Sequence, residues 1–123
     1  MLNLLSNKKK GDAFEQAASD YLQQQGLTLI DSQARFKLGE LDLIMQDKNC
    51  LVFVEVRFRN NAYFGGAAFS ISATKRRKLR NAALLWLAKN KLNAAHTEFR
   101  FDALTFEGDL KSVNWIQNII IEG

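Results

Sequence analysis

Apolar and polar positions alternate along this chain with two periods. Phe14, Ala17, Ala18, Tyr21, Leu22 and Gln25 recur at the i, i+3, i+4 spacing of a helix with one buried face, so Gly11 to Gln25 is predicted helical. Asp12 is the expected N-cap and Gly26 the stop. Leu27 to Ile30 opens a strand that continues through Ala34 to Phe36, and Lys37-Leu38-Gly39 turns into a hairpin. Its first strand places Leu41, Leu43 and Met45 on one face, with Glu40 and Asp42 on the other. Its second places Val52, Val54 and Val56 opposite to Phe53, Glu55 and Arg57. Residues 60–70, with Tyr63, Phe64, Gly65, Gly66 and Phe69, read as a long loop whose aromatics either stack on bases or tuck into the core. Ser72 or Thr74 caps a second helix that runs to about Asn90, with Leu79, Ala82, Ala83, Trp86 and Leu87 as its buried stripe. Glu98 to Phe106 is a strand, Glu107-Gly108-Asp109 a turn and Lys111 to Trp115 a last strand. Ile116 to Ile121 either extends that strand or forms a short helix.

Charges inside the hairpin change the picture. Asp42 lies between two leucines, and Glu55 and Arg57 interrupt a run of Val and Phe. An ionised side chain in such a run is costly unless paired, hydrogen-bonded or metal-bound. A four-residue loop over Asp47 to Cys50, with Gln46 paired to Leu51, sets Asp42 opposite Glu55, whereas a three-residue loop shifts the register by one and sets them diagonally. Directly opposed side chains share a face and lie ~5 Å apart at Cβ. Two carboxylates so placed share either a proton or a divalent cation. Arg57 joins the same face. An Asp42–Arg57–Glu55 ion-pair network that only holds the sheet is the competing structural reading.

Composition narrows the chemistry. With 123 residues, 47% of them hydrophobic, the chain reads as one globular domain over residues 1–123. One cysteine, Cys50, excludes an internal disulfide framework and a cysteine-built zinc site, and one histidine, His96, excludes a multi-histidine metal site. A metal would rest on carboxylates, which points to Mg²⁺ or Mn²⁺. No apolar run approaches the ~18 residues of a membrane span. The N-terminal apolar residues precede Lys8, Lys9 and Lys10, the reverse of a secretory signal, so the expected compartment is the cytoplasm.

Net charge is only +4, but it is unevenly spread. Val56 to Thr97 contains no acid, whereas nine of the 17 Lys and Arg residues fall there. Lys75, Arg76, Arg77, Lys78 and Arg80 crowd the start of the second helix, where cations oppose the helix dipole. Basic side chains beside free backbone N–H groups make a phosphate site, so these five residues and Arg59 are the expected nucleic-acid contacts. Glu15, about 100° round from Phe14, either reaches towards the site or serves the helix dipole as a first-turn glutamate.

Glutamate on helix one, Asp42 on the second strand and Glu55-x-basic on the third resemble the PD-(D/E)XK nuclease superfamily. More closely, Gly11 to Glu15, Gly39-Glu40-Leu41-Asp42-Leu43-Ile44, Phe53-Val54-Glu55-Val56-Arg57, Phe64-Gly65 and Lys75 to Leu79 resemble the uncharacterised YraN family, whose fold is assigned as similar to Holliday-junction resolvases. The resemblance implies an α/β, restriction-endonuclease-like core: a central mixed sheet of about five strands flanked by two main helices. It implies Mg²⁺- or Mn²⁺-dependent cleavage of DNA, branched or structured, and a homodimer. By the same resemblance Glu15, Asp42, Glu55 and Arg57 are catalytic, with the metal on Asp42 and Glu55. Arg57 stands where the superfamily carries lysine: it keeps the positive charge but cannot act as a base. The other readings are a nucleic-acid-binding protein that has lost the chemistry, and an interaction module docking through the aromatic loop or the apolar C-terminus.

Overall fold

The computed structural model describes the backbone of residues 7–59 and 71–121, and side chains from residue 11 onward. The loop predicted over residues 60–70 and the side chains of Lys8, Lys9 and Lys10 lie outside the described residues. The elements run α1 (Asn7–Gln24), β1 (Thr28–Phe36), β2 (Gly39–Asp47), β3 (Cys50–Arg59), α2 (Ala73–Lys89), β4 (Phe99–Glu107) and β5 (Val113–Ile116). The five strands form one mixed sheet in the order β1-β2-β3-β4-β5. β3 and β4 pair in parallel, with α2 in the connection between them, and every other pair is antiparallel. The result is the α/β architecture expected from the sequence.

Alternation along the strands builds two cores. Leu51 and Phe53 face α2 and pack with Leu79, Ala82, Ala83, Trp86 and Leu87, the stripe read from the sequence. Val52 and Val54 face the other way, onto Ala18 and Leu22 of α1 together with Leu104 and Phe106. The sheet is thus covered on both faces, which explains why consecutive residues in the middle of β3 and β4 are buried.

Several boundaries differ from the prediction. α1 begins at Asn7, so Asp12 is an interior residue rather than the N-cap. The lysines before it are good helix formers and carry the helix back by a turn. Asp12 instead accepts a hydrogen bond from the Gln33 side chain, tying α1 to β1. The hairpin turn is two residues, Lys48-Asn49, because Asp47 and Cys50 are themselves paired, and Lys48 takes a positive φ of 55°. Ser72 is the helix cap: its Oγ accepts the Lys75 backbone N–H at 3.1 Å. Beyond β5 the chain neither extends the strand nor turns helical. It runs on beside β4 irregularly, with the Asn118 N–H on Asp102, the Ile119 N–H on the Phe101 carbonyl, and Ile121 buried on the α2 side.

One glycine fixes a close approach. A Cβ on Gly39 would lie 2.5 Å from the carbonyl oxygen of Lys78, so the β1–β2 turn rests on the backbone of α2.

Candidate metal centre

The β2–β3 ladder runs from Asp47–Cys50 to Leu43–Val54. One step further, the same count brings Asp42 to Glu55. Here a side chain takes over from the backbone: Asp42 Oδ2 accepts the N–H of Val56 at 2.9 Å. The change interrupts the expected alternation. Leu41 packs with Ile44 on the α2 side, whereas Leu43 and Met45 pack on the α1 side. The prediction that all three share a face is therefore corrected, and the interruption falls on Asp42 itself.

Electrostatics follow from burial. Glu55 is 7% exposed, and burial is the largest influence on Asp42. Together with a hydrogen bond to Glu55 and repulsion from it, burial pushes Asp42 up to about 8, against the opposing pull of the Val56 N–H. The protonated form of Asp42 is thereby favoured beside Glu55. The charge of Glu55 is met from the other side by Lys75, in the first turn of α2, whose Nζ lies 3.3 Å from Oε2. The three groups face an open cavity of about 530 Å³, lined also by Glu40, Arg57, Ile71 and Ser72.

Glu15 sits on the other side of Asp42, in a smaller cavity of about 120 Å³ shared with Gln33, Arg35 and Glu40. Its Oε1 is buried with no hydrogen-bond partner among the described residues. Burial raises its pKa, Gln33 counteracts this, and Asp12 and Glu40 raise it further. Its charge also reaches Asp42. Among the described residues no three carboxylate, histidine or cysteine side chains gather closely enough to hold an ion by themselves. The donor set is all-oxygen and centred on two carboxylates. That suits Mg²⁺, which is commonly held by one or two carboxylates and completes its shell with water and phosphate oxygens.

The basic residues separate into different surroundings. Arg57 is exposed and borders the large cavity. Arg59 ends β3 in register with Glu107. Arg76 is half-buried and bonds the Ile71 carbonyl at 2.7 Å. Exposed Arg77 and Lys78, with Lys37 and Lys75, line a groove of about 490 Å³ between the β1–β2 turn and α2. Arg80 borders a different groove, with Leu84 and Phe99. The run read as one phosphate-binding cluster thus splits, and only part of it adjoins the carboxylates. Sequence reasoning missed the pairing of Lys75 with Glu55, although a cation opposing the helix dipole was a signal that its partner lay elsewhere. His96 is exposed.

The sequence profile described as "Uncharacterised protein family UPF0102" matches residues 14–106. The chain belongs to that family. UPF0102 is the same family as YraN, so the resemblance read from the motifs holds. The chain is similar to a UPF0102 protein of Vibrio cholerae, 44% identical over 119 residues, covering 97% of this chain and 98% of the relative. An Aliivibrio fischeri UPF0102 protein is 47% identical over 118 residues, 96% of each chain, and one from Vibrio campbellii is 41% identical over 122 residues, 99% of this chain and 100% of the relative. In this UPF0102 chain no described helix is long and apolar enough to cross a membrane.

Proposed function

We propose that this protein is a Mg²⁺- or Mn²⁺-dependent phosphodiesterase acting on DNA, with branched or structured DNA as the substrate class. The observation that carries the reading is Asp42 set against a buried Glu55 at the wall of an open cavity, beside the basic start of α2. Two carboxylates compressed in this way exchange a shared proton for a hard cation. Asp42 and Glu55 would hold the metal, with Glu15 assisting through water from its own cavity. A bound metal there would supply an activated water and charge neutralisation at the phosphorus. Arg57, at the cavity edge, stabilises the developing charge, while Lys75, Arg77 and Lys78 hold the backbone. Arg59, Arg76 and Arg80 extend the basic surface. A cytoplasmic location and pairing of two copies belong to the same reading.

Asp42→Ala tests it. The variant is expected to keep its circular dichroism spectrum and to lose both Mn²⁺ binding and cleavage; full cleavage would sink the assignment. A second reading, nucleic-acid binding without chemistry, is favoured by one observation: the Lys75–Glu55 ion pair satisfies the glutamate with no metal. Binding would then be salt-sensitive, indifferent to divalent ions and weakened by Arg76→Glu with Arg77→Glu.

A further inference from the structure

A buried carboxylate needs a counter-charge, and Glu55 has one in the Lys75 ammonium, 3.3 Å away. The two partners differ in freedom: the glutamate side chain is 9% exposed and the lysine 40% exposed, at the mouth of the cavity it shares with Asp42 and Arg57. Lysine is a point charge on a flexible four-carbon stem, so it can leave one anion for another without losing a fixed geometry. It also sits in the first turn of α2, at the positive end of the dipole, where a cation is unfavourable unless an anion holds it. The oxygen it occupies belongs to the same glutamate that would ligate a divalent ion.

We propose that Lys75 is the exchangeable counterion of the metal site: a divalent cation displaces its ammonium from Glu55, and the displaced ammonium then takes a phosphate oxygen of the nucleic acid. The inference rests on the metal-site reading above. Lys75 thereby has two anionic partners, used in alternation. Without metal it neutralises the buried glutamate; with metal bound, both the ion and the helix end repel it towards the cavity mouth. The exchange breaks one ion pair and forms another, with no covalent change.

The full chain is titrated with Mn²⁺ alone by calorimetry, as wild type, Lys75→Met, Lys75→Arg and Asp42→Ala. Removing the competing cation is expected to tighten Mn²⁺ binding roughly fivefold in Lys75→Met, the scale of a partly exposed ion pair. Lys75→Arg, which keeps the charge, is expected to stay near wild type. A second readout is the anisotropy of a short fluorescein-labelled DNA duplex, with Ca²⁺ or without divalent ions. Lys75→Met is expected to weaken DNA binding only when Ca²⁺ is present. Unchanged or weaker Mn²⁺ binding in Lys75→Met, or an equal loss of DNA affinity with and without Ca²⁺, overturns the exchange. If Asp42→Ala loses Mn²⁺ while Lys75→Met binds it no more tightly than wild type, the exchange fails while the metal site stands. If the wild type and every variant fail to bind Mn²⁺, both fall together.

Discussion

Two aspartates in the same sheet are treated in opposite ways. Asp102, on β4, is completely buried and surrounded by donors: Arg100 Nε at 3.0 Å and Nη2 at 3.2 Å, Trp115 Nε1 at 3.0 Å and the Asn118 N–H at 2.8 Å. Arg100 also reaches Asp47 at 3.0 Å. Burial alone would lower the arginine's pKa, but these carboxylate partners outweigh it and hold it above its usual value. Asp42 has one backbone donor and faces another carboxylate. Burial alone therefore does not mark a functional acid. Asp102 is saturated by the fold and works as a clasp for β4, β5 and the segment after it. Asp42 is left in conflict, and a conflict of this kind is resolved by a proton or a cation.

The largest effect that would sharpen this contrast is expected from Asp102→Ala, which takes one of Arg100's two carboxylate partners and leaves two further donors, Trp115 Nε1 and the Asn118 N–H, without theirs; a loss of about 3–5 kcal/mol in chemical denaturation is expected. A loss under 1 kcal/mol would remove the distinction between clasp and site. Next is the pH dependence of Asp42. Its folded pKa, about 8, lies above the ordinary 3.8, so the folded state keeps a proton that the unfolded chain has released. This group's contribution to stability is therefore lost progressively as pH rises from about 4 to about 8, by an amount on the order of a few kcal/mol. Asp42→Asn is expected to flatten that slope in thermal melts, and Mn²⁺ affinity in the wild type is expected to rise over the same range as the metal competes with the proton. Trp115→Phe removes one of the four donors on Asp102 and should cost about 1 kcal/mol, measured in urea. Smallest is Arg77→Ala, at an exposed position of α2: stability should stay within about 0.5 kcal/mol while the salt slope of DNA binding falls by about one.

What the sequence revealed follows the same division. Hairpin register, the α2 stripe and the burial of Glu55 depend on local period and counting, and all were legible. The lysine that meets Glu55 was not, because it arrives from another element after the unmarked span between β3 and α2. Arg57 took its place in the reading since i+2 along a strand shares a face, and it does line the same cavity. Asp102 looked like an ordinary alternating position. Its role requires Trp115 and the backbone of Asn118, which no periodicity connects to it. The Leu41 side chain was misassigned because strict alternation cannot foresee a carboxylate that replaces a ladder bond.

Gly39 now acquires a metrological meaning. It lies three positions before Asp42, and the Lys78 carbonyl it touches lies three positions after Lys75. The absence of a side chain there acts as a gauge block, setting how near the acid-bearing strand stands to the helix that carries the ammonium. A single methyl at position 39 would reset the gap between cation and carboxylates without altering any of them, so the tolerance of the whole site is held by a residue that contributes no functional group.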